Sequence, residues 1–242
     1  EKEPDTSSTG DKEVKVIVTD KDGNELVKVP ATVRVVGAYR QYVPVDTKPE
    51  TVLAKDNIDP EEFPEGTTFE YKDKDNKPVD TKTTGDKDVV VVAKLNGEPI
   101  AEIPAKVTVV GPKIQYVAVG NEPDVNKSVD PSVFPKEAEA KPEYKEKDIS
   151  KTPGEKDVTV VVKDKDGDSI VEVPAKVVVA EGVEQLVPAS EENKQPDAKD
   201  SVDPKLFPEG TRFEYKTPVD TTTSGSKNVT VVVKDKDGNT LV

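Results

Sequence analysis

Valine recurs at every second position in several short stretches of the chain. Residues 14–18 and 158–162 are two of them, with lysine or threonine at some of the intervening positions. Such alternation is typical of a β-strand with one buried face, and β-branched side chains favour extended backbone over a helix. The opposite face also carries apolar residues, at Ile17, Val92, Val161 and Val232. We therefore expect that second face to be partly covered.

Each valine strand ends in a polar pair that predicts a tight turn. The pairs are Asp22-Gly23, Asn96-Gly97, Asp166-Gly167 and Asp237-Gly238. These residue types tolerate the positive φ of a hairpin turn, so a β-hairpin is predicted at each pair. The return strand then meets a proline at position 30, 104 or 174. Because proline cannot donate to a β-ladder, it predicts an edge or a switch to a separate final strand.

Internal repeats determine how the chain divides. A hairpin half recurs with its first glycine at Gly10, Gly85, Gly154 and Gly225. A second half, the Asp-Pro half, precedes the hairpin half three times and has Asp-Pro followed by Phe-Pro, with its aspartate at Asp59, Asp130 and Asp203. Successive copies lie about seventy residues apart, the period of a small repeated domain. We predict a truncated repeat reduced to its C-terminal half (1–37), a complete repeat (38–111), a complete but divergent repeat (112–182) and a truncated repeat lacking its last strand (183–242).

The Asp-Pro half supplies the aromatic anchors of the predicted core, which are Phe63, Phe134 and Phe207. At most one short helical turn fits before each Asp-Pro, because no long amphipathic period is present. Pro-Glu-Gly turns are predicted at 64–66 and 208–210. Segment 112–182 differs, since residues 136–145 contain two extra positions and Pro142 replaces the aligned phenylalanine. An altered strand is expected there.

Composition removes most catalytic chemistry. The 242 residues include no Cys, His, Met or Trp, and 49 acidic side chains outnumber 35 basic ones. Without imidazole or thiol groups, a Ser-His-Asp triad, a cysteine nucleophile and a Cys/His zinc site are excluded. The acid pairs Glu61-Glu62 and Glu191-Glu192 lie in charged, proline-flanked stretches that are typical of solvated surface. We predict a protein that is not an enzyme and that uses no cofactor.

Charge and hydropathy also limit the partners. A net charge of -14 repels phosphate backbones, so nucleic-acid binding is not expected. No apolar run is long enough to form a membrane helix, so membrane insertion is not expected either. The lack of cysteine fits both a reducing cytosol and an exported protein built without disulfides, and the sequence leaves both open.

Two further sites are weighed against simpler alternatives. The Asp-Lys-Asp-Gly runs at 20–23, 164–167 and 235–238 resemble half of a calcium loop. A hairpin turn is favoured, because the second copy has Leu95-Asn96-Gly97 at the same place. A Lys-Asn isopeptide cross-link is the other candidate, but no asparagine recurs across the copies. Asn57 aligns with Ser128 and Ser201, and Asn228 aligns with Asp88 and Asp157.

Short strands, many prolines and no long helix predict small all-β sandwiches in tandem. The connections between repeats are short, which predicts a semi-rigid, elongated rod. Tyr42 and Tyr116, aligned with Leu186, lie at these connections. An apolar residue at such a place more often packs against the neighbouring repeat than binds a ligand. Packing across the junction is therefore the favoured interpretation.

The stretch from Val202 to Val242 resembles the Rib/alpha-like (Rib/alpha/Esp) tandem repeat of Gram-positive cell-wall-anchored surface proteins. The resemblance rests on the order of Asp-Pro, Phe-Pro-Glu-Gly and Phe-Glu-Tyr, then Pro-Val-Asp-Thr, the valine strand and Asp-Gly. It implies immunoglobulin-like β-sandwich repeats of an extracellular, cell-wall-anchored protein. It also implies a structural stalk that projects an adhesive region from the cell wall. The alternative is that the repeats themselves are adhesin modules that bind a host or cell-surface ligand.

The first and last segments are complementary halves. Residues 1–37 contain the final strand that 183–242 lacks, and 183–242 contains the Asp-Pro half that 1–37 lacks. Unpaired strand edges promote association. We therefore hypothesise head-to-tail self-association, in which one chain's start completes another chain's end. The simpler alternative is that these boundaries carry no meaning.

Overall fold

The described residues of this computed structural model are 3–72 and 78–242. Their strands are β1 (Gly10–Thr19), β2 (Glu25–Val35), β3 (Arg40–Pro44), β4 (Thr68–Tyr71), β5 (Gly85–Leu95), β6 (Glu98–Val110), β7 (Gln115–Ala118), β8 (Lys141–Tyr144), β9 (Gly154–Lys163), β10 (Ser169–Ala180), β11 (Arg212–Tyr215) and β12 (Val231–Lys234). Their helical elements are 3-10 turns at Pro49–Thr51, Ala54–Asn57, Pro60–Glu62, Val125–Lys127, Pro131–Val133, Lys136–Ala138, Ala198–Ser201 and Pro204–Leu206. The predicted all-β fold is confirmed.

The chain divides into two compact units, residues 1–109 and 110–242. The first unit contains the β1-β2 hairpin and a four-stranded sheet of order β3-β6-β5-β4. The second contains a sheet of order β7-β10-β9-β8 and the two-stranded sheet β11-β12. Each four-stranded sheet is centred on a long antiparallel hairpin, as predicted from the valine strands and their turns. The short strand β7 runs parallel to β10, so that sheet is mixed.

The hairpin turns are of two kinds. Asn96 and Gly97 both have positive φ and form a two-residue turn between Leu95 and Glu98. At the Asp-Lys-Asp-Gly copies the glycine alone takes positive φ, and the turn is wider. In the first copy Asp20 N–H donates to the Asn24 carbonyl at 2.9 Å. The difference follows from loop length, because the segment from Gly85 to Pro104 is one residue shorter than the segments from Gly10 to Pro30 and from Gly154 to Pro174.

The long return strands run straight through their prolines. Pro30, Pro104 and Pro174 lie inside β2, β6 and β10, so the predicted separate final strand is wrong. Only residues 177–180 of β10 pair with β7, which leaves that edge of β10 unpaired at Pro174. A residue without an N–H is tolerated at such a free edge. The predicted edge is therefore present, although the strand does not switch.

One face of each sheet packs against the 3-10 turns of the Asp-Pro half. In segment 38–111, Val91 and Ile103 of the sheet form one cluster with Ala54 and Ile58, and Phe63 packs against it. The layer that opposes the sheet is thus made of 3-10 turns within the described residues, not of a second hydrogen-bonded sheet. The other face is partly covered, as predicted, since Val92 and Val161 are buried as well.

Segment 112–182 keeps its short strand despite its divergent sequence. β8 pairs with β9 from Lys141 to Tyr144, as β4 pairs with β5. The expected altered strand is therefore wrong. The extra residues form the 3-10 turn Lys136–Ala138, which ends at Glu139 with φ +44°. Pro142 is tolerated because β8 is an edge strand, where a proline can direct its missing N–H away from the ladder.

The first hairpin and the last segment leave apolar side chains exposed. Val16 is 50% exposed, whereas the aligned Val91 is fully buried. In segment 183–242 the residues aligned with the first part of β5 (225–230) are not in a strand. The residues aligned with β7 (185–188) are not in a strand either, and Leu186 is 89% exposed. In segments 38–111 and 112–182, the aligned strands β5 and β7 pair with β6 and β10, respectively.

Candidate functional site

A buried hydrogen-bond network links the sheet to the Asp-Pro half in segment 38–111. The hydroxyl of Tyr71, at the end of β4, donates to Asn57 Oδ1 at 2.7 Å and lies 3.0 Å from Gln41 Oε1. Asn57 Nδ2 in turn donates to the backbone carbonyls of Tyr39 and Lys106. Asn57 is fully buried, and burial raises the pKa of Tyr71. Through these hydrogen bonds the turn Ala54–Asn57 is linked to β3 by Gln41, to β4 by Tyr71 and to β6 by Lys106.

The same network recurs in the other two Asp-Pro halves with serine in place of Asn57. Ser128 Oγ lies 2.6 Å from Tyr144 Oη, and Ser201 Oγ lies 2.9 Å from Tyr215 Oη. The glutamine is kept, because Tyr215 donates to Gln185 Oε1 at 3.0 Å. Sequence reasoning missed these glutamines. Their recurrence at 41, 115 and 185, one per repeat, is the signal that could have found them.

This network also accounts for the asparagine considered for an isopeptide cross-link. Both ends of the Asn57 amide are engaged, by a tyrosine hydroxyl and by two backbone carbonyls. The aligned serines carry no amide that could form such a bond. Asn228 is exposed, and the aligned Asp88 forms an ion pair with Lys106 at 2.6 Å. The structure thus assigns Asn57 to hydrogen bonding within its own repeat.

The Asp-Lys-Asp-Gly runs use their first carboxylate to close the hairpin turn. Asp20 Oδ1 accepts from the backbone N–H groups of Asp22 and Asn24, each at 2.9 Å. Asp20 Oδ2 accepts from Asn24 Nδ2 at 2.9 Å, and these bonds lower the pKa of Asp20. Asp235 repeats the pattern with Asn239. Across the part of the chain that the structure describes, no group of three or more acidic side chains is arranged to hold a metal ion.

The acid pairs lie at the surface. Glu61 is exposed and donates its backbone N–H to Asp59, which caps the turn Pro60–Glu62. Glu191 and Glu192 are exposed as well. Their environment is the solvated surface that the sequence predicts. In the described residues, no helix is long and apolar enough to cross a bilayer.

The second unit contains a joint between segments 112–182 and 183–242. Tyr116, at the start of segment 112–182, stacks on Phe207 of the next segment, with ring centroids 5.5 Å apart and an interplanar angle of 19°. Ala180, the last residue of β10, is buried in one cluster with Phe207, Val202 and Val233. The backbone continues the contact, because Gly182, the last residue of segment 112–182, forms an isolated antiparallel β-bridge with Val202. The core of segment 183–242 thus includes residues of its neighbour.

Junction packing is therefore confirmed for Tyr116. Burial raises the pKa of its hydroxyl. The aligned Leu186 is 89% exposed, so the same packing is not found for it. Tyr42 is half-buried, and burial raises its pKa too. For Tyr42, junction packing stays a prediction.

One family model matches this chain. The profile of the Rib domain matches residues 40–111 and 184–240, which is more than half of the chain. A solved Rib structure from Streptococcus pyogenes is 31% identical, covers 31% of this chain and 89% of that chain, and has a TM-score of 0.26. An endo-fucoidan hydrolase of glycoside hydrolase family 107 is 11% identical, covers 73% of this chain and 35% of that chain, and has a TM-score of 0.21. No curated protein sequence matches the chain.

The family match and the observed sheets support the same conclusion. The matched ranges hold the sheet of segment 38–111 and the Asp-Pro half of segment 183–242. Together they confirm the predicted fold class of tandem immunoglobulin-like β repeats. Rib domains are repeats of surface proteins and are not an enzyme family, which gives this chain the role of a surface-protein repeat region. The chain belongs to the Rib domain family.

Proposed function

We propose that this chain is part of a structural stalk, a tandem repeat region that projects an adhesive region away from the cell wall of a Gram-positive bacterium. The joint between Tyr116 and Phe207 carries this proposal. Consecutive repeats that share a core resist bending more than repeats joined by a free linker. The division at 37, 111 and 182 and the rod-like arrangement are parts of the same proposal. The predicted location is extracellular and anchored to the cell wall.

Small-angle X-ray scattering of the 242-residue chain tests the stalk. A variant with five Gly and Ser residues inserted between Glu181 and Gly182 lengthens the connection at the joint and serves as the flexible comparison. A rod-like pair-distance distribution that broadens in the insertion variant supports the proposal. A compact particle, or a freely hinged one that the insertion does not change, contradicts it. Antibody labelling of intact cells tests the surface location separately.

The adhesin alternative has one observation in its favour. An open groove on segment 112–182 is lined by Pro112, Ile114, Val158 and Pro174, and the Ile114 side chain is exposed. Exposed apolar side chains in a concave surface are typical of a recognition site. The test is binding of the labelled chain to epithelial cells, with Ile114→Asp as the comparison. Saturable binding that this variant loses would favour the adhesin over the stalk.

We also propose the head-to-tail association predicted from the complementary halves. Val29 on the first hairpin is 45% exposed, whereas the aligned Ile103 is buried inside a complete repeat. The open face of segment 183–242, which includes Val187 and Val229, is exposed as well. In a complete repeat, the hairpin that corresponds to residues 1–37 covers the face that is open in segment 183–242, and the Asp-Pro half covers the apolar face of that hairpin. Neighbouring repeats in a longer array would bury the same two apolar surfaces.

Sedimentation velocity over a concentration series tests the association. Val29→Asp places a charge on the apolar face of β2, and Lys28→Asp places the same charge at the next position, on the opposite face. We expect species that grow by whole chains with concentration, and their loss in Val29→Asp but not in Lys28→Asp. A single monomer boundary at the highest concentration contradicts the proposal.

A further inference from the structure

The joint in the second unit joins two aromatic side chains in a specific arrangement. Phe207 makes an edge-to-face contact with Phe213 of its own segment, with centroids 5.6 Å apart at 81°. It also makes an aromatic contact with the stacked ring of Tyr116 from the preceding segment. Phe207 is buried as a result. Tyr116 therefore covers a face of the core that segment 183–242 does not cover by itself.

The aligned phenylalanine of segment 38–111 offers a comparison inside the same chain. Phe63 makes the same edge-to-face contact with Phe69, with centroids 5.0 Å apart at 79°. Phe63 packs against the same core cluster as the aliphatic residues Val36 and Ala38, and it remains only half-buried. The intrasegment pair is thus shared by segments 38–111 and 183–242. The stacked tyrosine is an addition that comes from the neighbouring repeat.

We infer that the end of segment 112–182 that carries Tyr116 and Ala180 is a docking surface for the Asp-Pro half of a following Rib repeat, and that Tyr116 couples the folding of the two repeats. The partner is defined by the phenylalanine of Asp-Pro-x-x-Phe-Pro, which offers a flat apolar face. Segment 183–242 depends most on this surface, because its strand β12 is short and its residues 225–230 are not in a strand. The inference rests on the joint and holds for a stalk or for an adhesin array.

The contact is made by the ring of Tyr116, not by its hydroxyl. Stacked aromatic pairs gain energy from their faces and from buried area, so Tyr116→Phe keeps the interaction. Tyr116→Ala removes it and leaves Phe207 facing a gap. Leucine occupies the aligned position at 186, so Tyr116→Leu asks whether the surface needs an aromatic ring. These three variants separate stacking from general hydrophobicity.

Hydrogen exchange followed by mass spectrometry on the full chain tests the coupling. The reporting amides belong to β11 and β12, which lie in the neighbouring segment, and the reference amides belong to β9. We expect Tyr116→Ala to speed exchange in β11 and β12 by roughly 10- to 100-fold, which corresponds to the loss of a stacked aromatic pair and its buried area. Tyr116→Phe should match the wild type, and Tyr116→Leu should fall between the two. Exchange in β9 should change far less than in β11 and β12.

Tyr39→Ala is the matched control, because Tyr39 is 61% exposed and its loss removes the same side chain from a surface position. It should leave β11 and β12 unchanged. Unchanged exchange in β11 and β12 of Tyr116→Ala would overturn the inference. Faster exchange throughout β7 to β10 in that variant would also overturn it, because the effect would then be local damage to segment 112–182.

Discussion

Replacing Tyr71 with phenylalanine removes one oxygen atom from the buried network of segment 38–111. That hydroxyl donates to Asn57 Oδ1 at 2.7 Å and also contacts Gln41 Oε1. The aromatic ring stays in place, so its contacts with the core are retained. Tyr71→Phe therefore measures hydrogen bonding separately from apolar burial.

The size of the effect follows from the burial of Asn57. Its side chain is fully buried, so Oδ1 cannot turn to bulk water when the hydroxyl is lost. A buried polar group left without its partner costs about 1–3 kcal/mol. Each 1.4 kcal/mol is a tenfold change in an equilibrium constant, so the open population should rise roughly 5- to 150-fold. The two bonds from Asn57 Nδ2 to backbone carbonyls remain and limit the loss.

Native-state hydrogen exchange measured by NMR is the suitable assay. A chain of several repeats does not unfold in one two-state transition, so a single melting curve does not define one free energy. Amide protection in β5 and β6, read at Val91 and Val107, should fall by the factor given above. Protection at Val160, in segment 112–182, should not change.

Tyr39→Phe is the control, since Tyr39 lies at the surface and loses the same atom. It should leave protection at Val91 within about twofold of the wild type, a difference under 0.5 kcal/mol. The same small change in Tyr71→Phe would refute the reasoning. Tyr71 would then be a packing residue, and the recurrence of the Gln-Tyr pair would need another cause.

Three other perturbations follow from the structure. Val160→Ala removes two methyl groups from a fully buried site and should lower the unfolding free energy of segment 112–182 by about 2–3 kcal/mol, measured by chemical denaturation with a reporter in β9. The aligned Val16 is exposed, so Val16→Ala should lower the unfolding free energy of its own segment by under about 0.5 kcal/mol. Gly66→Ala should cost about 1–2 kcal/mol, because Gly66 has φ +85° in the Pro-Glu-Gly turn. Burial raises the pKa of Tyr71 in the folded protein, so Tyr71 loses its phenol proton at lower pH in the unfolded protein than in the folded one. Stability should therefore fall as pH rises above about 10. Tyr71→Phe should reduce that fall, measured by hydrogen exchange over a pH series.

The regular elements of this fold follow from the sequence because their signals are local. Alternating valines predict β1 and β9, and Asn96-Gly97 predicts the turn that the structure shows. The Pro-Glu-Gly turn is confirmed as well, since Thr67 N–H donates to the Pro64 carbonyl at 3.1 Å. Period and turn chemistry depend on a few adjacent residues, so one sequence is enough to read them.

The features that sequence reasoning missed depend on distant residues. Gln41 is polar and gives no signal in the apolar alternation of its own strand, and its partner Tyr71 lies thirty residues away. Pro174 breaks a local rule for strands, yet it is tolerated because β7 does not extend far enough to face it. The joint was only partly predictable, since Tyr116 and Leu186 align but differ in their surroundings. Tertiary context decides such positions.

The parallel pairing of β7 with β10 has a mechanical consequence. β7 is the first strand of its repeat and β10 the last, and they pair in parallel from Gln115 opposite Val177 to Ala118 opposite Ala180. Tension applied through the chain pulls β7 from its N-terminal end and β10 from its C-terminal end, so the two strands are drawn past each other lengthwise. Their hydrogen bonds are then loaded together in shear and cannot open one at a time. The β7–β10 pair therefore resists a stretching force that is applied to the two ends of the repeat.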